Sequence, residues 1–308
     1  MTHPLSRLAL LLLPALSVAC SSATLRINQT GATSTYCDPP LAYTYDASTR
    51  PIANLDSVLA VSPALTQQFS RHDLLIANAV AIIPLLRQLT TQVTTQEADR
   101  LRQQIQTRLL LAQTQVSSVA AELDCEGERA DQLATYLDQA DTKRVRRLTI
   151  GSVVVGAITT VATALIAGDN ANKAVAISGG LVSAGLGGVA AFSSDRRIPF
   201  QHARNLLTDI WLAKDQSTAY PPVVWYVLHE KAFSNSSQHV IAYNVRQRWL
   251  DYVLPGTSAS DQALYFGTGG AYRADDLHTR ANMLNQLQSS VRSINQDLQS
   301  LLLNLSKR

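Results

Sequence analysis

Residues 148–168, LTIGSVVVGAITTVATALIAG, and residues 174–194, AVAISGGLVSAGLGGVAAFSS, contain no charge, and only DNANK (169–173) separates them. As a helix each stretch reaches about 31 Å, enough to cross a hydrocarbon core about 30 Å thick. Ser152, Gly156, Thr160, Ala164 and Gly168 recur every four residues, as do Ala176, Gly180, Ala184 and Gly188. Gly179, Ser183, Gly187 and Ala191 widen the second face. Small residues at this spacing let two helix backbones approach closely, which is how helices associate where lipid removes the hydrophobic drive. Eight of the chain's 14 glycines fall within 148–194. In a solvated helix each would cost about 1 kcal/mol relative to alanine, so close packing has to compensate. The expectation is a central Gly-rich hydrophobic hairpin, a glycine zipper held by those small faces.

The flanks fit a membrane interface. Lys143, Arg144, Arg146 and Arg147 precede the first span, and Arg196 and Arg197 follow the second. A two-span hairpin brings both clusters to one side, where each cation gains about 1 kcal/mol from anionic head groups. Basic loops ordinarily stay cytoplasmic. In an exported chain these flanks face the periplasm instead, so the hairpin either inserts after export or is not conventionally membrane-spanning. The competing reading buries the pair as the core of a soluble body.

Outside the hairpin the dominant period is helical. Helical signal starts near Ser62-Pro63, and Pro84 kinks or divides the helical stretch it interrupts. Leu101, Ile105, Leu109, Ala112, Val116, Val119 and Leu123 form one apolar stripe. Gly127 interrupts it, and Ala130, Leu133, Leu137 and Ala140 begin a second, which suggests two antiparallel helices joined near Cys125. At the C-terminus Leu284, Leu287, Val291, Ile294, Leu298, Leu301 and Leu305 alternate spacings of three and four, an a/d heptad seam extended backward by Leu277 and Ala281. This helix packs on its own chain's long helices or forms an intermolecular coiled coil. Residues 199–272 hold 12 of the 18 aromatics. Trp211, Trp225, Tyr226, Trp249 and Tyr252 there suggest a small helical head with an aromatic core. No strand alternation stands out. The fold class expected is all-α, with long antiparallel helices around the hairpin and a C-terminal heptad helix.

The N-terminus reads as an export address. Arg7 precedes an apolar core from Leu8 to Leu16, too short to span a bilayer. The segment ends Leu16-Ser17-Val18-Ala19-Cys20, which resembles the lipobox of bacterial lipoproteins, although Ser17 stands where a leucine is usual. The resemblance implies that Cys20 takes diacylglycerol on its thiol and an acyl chain such as palmitate on its freed amine. Ser21 in place of aspartate is similar to signals for the outer membrane in Gram-negative bacteria. The expected location is the cell envelope, lipid-anchored and periplasm-facing. Export favours a disulfide between the remaining Cys37 and Cys125, both at expected loop positions, with two free thiols as the alternative. The expected organisation is a signal peptide over 1–19, a lipidated tether over 20–53 and a helical body over 54–147. The hairpin occupies 148–194, the aromatic-rich head 195–272, and the heptad helix packing on the body 273–308.

Catalytic and ligand-binding chemistry finds little support. Net charge is +3 with a pI near 8.8, and the one dense basic run abuts the hairpin, so no nucleic-acid surface is expected. His229-Glu230-Lys231-Ala232-Phe233 begins like a zinc-protease motif but has Phe where the second imidazole is needed, so no metal site is expected. His72, His202, His239 and His278 are isolated in sequence. Gly267-Thr268-Gly269-Gly270 lacks the Lys-Ser/Thr ending of a phosphate loop and reads as a turn into a helix begun by Asp275 or Asp276. Glu126 and Glu128 read as solvated helix-end charges. No catalytic residue and no cofactor is expected. The leading expectation is a non-enzymatic envelope lipoprotein with a membrane-interacting hairpin and a structural or assembly role. Its partners are membrane lipid, through Cys20 and the hairpin, and either a second copy or another envelope protein. Two alternatives differ in class. The layout resembles the alpha-helical pore-forming toxins, which carry a hydrophobic hairpin between long helices, and a soluble periplasmic binding module would use the hairpin as core.

Overall fold

The order of apolar periods along the chain is reproduced as helix after helix in a computed structural model, which describes Cys37 and residues 44–166, 168–191, 196–202 and 204–307. The signal segment and Cys20 lie outside the described residues. Short helices come first: α1 (Leu55–Ala60), α2 (Pro63–Gln68), α3 (Arg71–Ala79) and α4 (Ile83–Leu89). Asn54 begins α1, its side-chain oxygen accepting the Ser57 amide at 3.1 Å. Helical structure therefore starts before Ser62. Pro63 occupies the first turn of α2, and Pro84 that of α4, where its missing N–H costs nothing. Pro84 thus divides α3 from α4, with Ala81 at φ 57° in the bend.

The largest departure from the sequence reading is α5, one unbroken helix from Thr95 to Leu165. Its 71 residues reach about 106 Å. Thr94 caps it, accepting the Glu97 amide at 3.3 Å. Gly127 does not end a helix, and Cys125 lies within α5 and not in a loop. The reason is on the facing helix. A Cβ at Gly127 would sit 3.0 Å from Asn285 Oδ1, 3.6 Å from Leu284 Cβ and 3.8 Å from the Ala281 carbonyl. The glycine provides close approach for α11 (Ala274–Arg292), not a break.

The two stripes of α5 are therefore one surface, and the heptad seam of the same chain covers it. Leu277, Ala281, Leu284, Leu287 and Val291 of α11 are all buried against it. The backbone breaks after Arg292, but Ser293 keeps helical dihedrals. The seam therefore carries into α12 (Ile294–Ser306) through Ile294, Leu298 and Leu301, while Leu305 at its end is half-exposed. α12 packs on α3 and α5, and Asn304 donates to both Asp73 carboxylate oxygens at 3.0 and 3.1 Å. The heptad is intramolecular.

The tether expected over 20–53 is fastened at its far end. Cys37 is disulfide-bonded to Cys125, with Cα atoms 5.8 Å apart. Tyr45 Oη accepts from Gln115, and the Ile52 backbone exchanges two hydrogen bonds with the Asn78 side chain at 2.8 and 3.0 Å.

The aromatic segment folds onto the body as α7 (Leu206–Trp211), α8 (Pro222–His229), α9 (Ile241–Arg248), a π turn over Trp249–Val253, and α10 (Ala259–Phe266). Trp225, Trp249, Tyr220, Tyr265 and Phe266 are buried, and Trp211 stacks on Phe266 with centroids 4.2 Å apart. Tyr252 departs from the expected core and is 80% exposed. One short antiparallel sheet was not anticipated: β1 (Ile198–Gln201) pairs with β2 (Gly269–Tyr272), Ile198 opposite Tyr272. Gly269 and Gly270 are thus strand residues, not a turn. Gly269 has φ 102°, and a Cβ there would strike the Phe200 carbonyl, so only glycine fits. Despite this ribbon the fold is all-α.

Candidate functional site: the exposed hairpin and its basic collar

α6 (Asp169–Ala191) turns back along the distal third of α5. The turn is shorter and earlier than expected. α5 ends at Leu165, and residues 169–173 are the first turn of α6, where Lys173 pairs with Asp169 at 2.7 Å. The contacts set the antiparallel register. Ser183 Oγ donates to the Ser152 carbonyl at 3.1 Å and lies 3.4 Å from Ser152 Oγ. A Cβ at Gly156 would meet Ser183 Oγ at 3.7 Å, and one at Gly151 would meet Leu186 at 3.7 Å. Gly179 is tightest, since a Cβ there would overlap the Thr159 side chain.

Ser152 and Gly156 therefore belong to the packing face, as expected, whereas Thr160, Ala164 and Gly168 are exposed. On α6 the face is Gly179, Ser183 and Leu186, one residue round from the expected Ala176, Gly180, Ala184 and Gly188. Nothing lies within 4 Å of a Cβ built on Gly180 or Gly188, and Ala176 and Ala184 are exposed. The two four-residue series sit side by side on one helix, and spacing alone does not choose between them.

What surrounds the hairpin decides how it can act. The last buried residue of α5 is Leu137, and no residue of the apolar windows in α5 or α6 is buried. Ile150, Val153, Val154, Ile158, Val161 and Leu165 on α5 stand exposed, as do Ile177, Leu181 and Val189 on α6. Both helices are long and apolar enough to cross a membrane. The hairpin is not the core of the body, which corrects that premise of the soluble-module alternative.

The collar is at its root. Lys143, Arg144, Arg146, Arg147 and Arg197 are exposed, and Arg196 is half-buried with its Nε 3.3 Å from Asp141. Arg146, Arg196 and Arg273 line a cleft of about 660 Å³ together with Asp138, Asp141 and Asp275. Beside it, His278 bridges α11 to α5 through Asp131 (2.8 Å) and Asp138 (3.0 Å). Both ring nitrogens can donate only in the imidazolium, and the Asp138 hydrogen bond leads in raising the His278 pKa.

Sequence reasoning missed a buried ionic layer between α5, α11 and the ribbon. Glu126 is not a solvated helix-end charge; it is buried and pairs with fully buried Arg129 at 2.8 Å. Arg129 also donates to the Gln201 carbonyl at 2.9 Å and lies over the Phe200 ring, 4.0 Å from its centroid. Arg280 donates to the Tyr265 carbonyl at 2.8 Å. His202 lies 2.8 Å from Tyr272 Oη, and burial drives its pKa down to about 2. Burial raises Glu122 to about 7, against the opposing pull of Arg204. Through the Arg129–Gln201, His202–Tyr272 and Arg280–Tyr265 hydrogen bonds the layer ties the ribbon to the helices. His229 meets the Trp225 carbonyl within α8, and His72 of α3 meets Asp297 of α12 at 3.0 Å. Among the described residues no group of His, Cys, Asp or Glu could hold a metal ion.

The surface left open is thus an apolar hairpin standing on a collar of cations. Comparison with protein-family models, characterised proteins and solved structures finds no match to this chain.

Proposed function

We propose that this protein is a non-enzymatic cell-envelope lipoprotein, anchored through Cys20, whose hairpin enters or assembles within a membrane. The observation that carries the reading is the uncovered apolar surface of α5 and α6 directly above a cationic collar. A monomeric water-soluble protein rarely exposes a contiguous apolar surface on this scale, and large exposed patches mark membrane or protein contacts. Transfer of a fully exposed Val, Leu or Ile side chain out of water is worth about 1.5–3 kcal/mol. Nine such side chains, each about half exposed or more, favour insertion by roughly 10 kcal/mol before collar electrostatics are added. The basic collar favours anionic head groups. A bundled body fastened by the Cys37–Cys125 disulfide and the heptad seam would then be held against the bilayer by two attachments.

The test is flotation of a Cys20→Ser protein with liposomes. It should associate without lipidation and more strongly with anionic vesicles, and deletion of 148–194 should release it. A protein that stays in the aqueous phase at every lipid composition would defeat the reading. Membrane perturbation by assembled hairpins is a second reading, favoured by the outward small-residue face Ala176-Gly180-Ala184-Gly188, which α5 leaves uncovered. Dye release from vesicles separates it from simple attachment.

A further inference from the structure

The cleft at the root of the hairpin has an unusual charge account. It is lined by three guanidiniums and three carboxylates, contributed by α5, by the start of α11 with Arg273 before it, and by Arg196 in the segment between α6 and β1. Four of the six are engaged locally. Asp141 pairs with Arg196, Asp138 accepts from His278, and Arg273 pairs with Asp276. The other two, Arg146 of α5 and Asp275 of α11, make no ion pair within 4.0 Å, with each other or with any described residue. One cation and one anion without an ion-pair partner among the described residues thus share a cleft of about 660 Å³, a volume typical of small-molecule sites.

We propose that this cleft binds the head group of a zwitterionic phospholipid carrying a primary ammonium, a phosphoethanolamine lipid. Arg146 takes the phosphate, because a guanidinium presents paired donors that match phosphate oxygens. Asp275 takes the ammonium. An anionic head group satisfies Arg146 but leaves Asp275 facing like charge. A choline head group brings a cation without N–H donors, so it forms no hydrogen bond to the carboxylate. Position identifies the lipid source. Arg146 is two residues before Leu148, an axial rise of about 3 Å, so a head group held there lays its acyl chains along the exposed Ile150 and Val153. The proposal rests on the membrane reading and adds head-group selectivity to it.

The experiment titrates the detergent-solubilised Cys20→Ser protein with short-chain, monomeric phosphatidylethanolamine, phosphatidylglycerol and phosphatidylcholine, and with free phosphoethanolamine, by calorimetry. Phosphatidylethanolamine should bind tightest. Arg146→Gln should weaken it about tenfold, as expected for loss of a charge-assisted hydrogen bond. Asp275→Asn should abolish the preference over phosphatidylglycerol. Both side chains are exposed, so the variants should melt like the parent, which a thermal scan verifies. Equal binding of the three lipids, unchanged affinity in both variants, or free phosphoethanolamine binding as tightly as the lipid would each overturn the proposal. Flotation of the same proteins separates the two ideas. Selectivity without flotation defeats membrane insertion, whereas flotation without selectivity defeats the head-group site.

Discussion

A single glycine in the hairpin discriminates between the two small-residue faces of α6, and neighbouring positions provide the control. At Gly179 any side chain collides with Thr159, whose own hydroxyl is bonded back to the Val155 carbonyl at 2.8 Å and so has little freedom to move aside. At Gly180, one residue on, a Cβ meets nothing within 4 Å. Substituting alanine for glycine in a helix gains about 1 kcal/mol. Overpacking a closed contact costs about 1–3 kcal/mol. Gly180→Ala should therefore stabilise the hairpin by about 1 kcal/mol, while Gly179→Ala should be neutral to about 2 kcal/mol destabilising, and leucine should widen the gap. Closure can be read by oxidative cross-linking of a Ser152→Cys/Ser183→Cys pair, whose native hydroxyls are 3.4 Å apart, in micelles. Gly179→Leu should slow cross-linking, and Gly180→Leu should leave it unchanged. Equal slowing by both, or greater slowing by Gly180→Leu, would refute the register.

The seam should be structural: Ile294 is fully buried, so Ile294→Asp should cost several kcal/mol and lower the melting temperature sharply. The Cys37–Cys125 bridge closes a separation of 88 residues, so Cys37→Ser should cost about 4–5 kcal/mol in the chain-entropy model, and chemical denaturation measures it. Glu122 gives a pH signature. Its folded pKa lies above its ordinary value of 4.5, at about 7, so the folded protein binds more protons than the unfolded chain between those values. Stability contributed by the neutral acid is present below pH 4.5 and lost as pH rises to about 7, by at most about 3 kcal/mol. Glu122→Gln should flatten that slope, and an identical pH profile in the variant would show that another group sets it. Cys20→Ser should abolish labelling by a fatty-acid probe.

How much of this was legible in advance depends on the range of the interaction. Apolar periodicity is local, so the stripes of α5, the heptad seam and the two uncharged spans could be read directly, and with them the all-α class. The proposed export and lipidation rest on a short contiguous segment that lies outside the described residues. Gly127 was misread because its purpose is the approach of Asn285 and Leu284, residues more than 150 positions away. The ribbon was missed because each strand has four residues, one carrying Gly269-Gly270, and only the partner across the pairing makes them strands. Glu126 looked solvated because a lone sequence position does not reveal that Arg129 is buried beside it.

The hairpin shows the division most clearly. The sequence by itself determined that two spans of membrane length exist, that they are rich in small residues and that cations flank them, because length, charge and spacing are properties of the chain. It offered two adjacent series of small residues on α6, and it allowed the pair to be either a buried core or an uncovered surface. Tertiary structure decided both. Thr159 selects Gly179 over Gly180 because the crossing of α5 and α6 is fixed by which side chains interdigitate. The apolar side chains stay uncovered because α11 and α12 bury residues of α5 only as far as Leu137, and among the described residues the apolar span beyond the collar packs against α6.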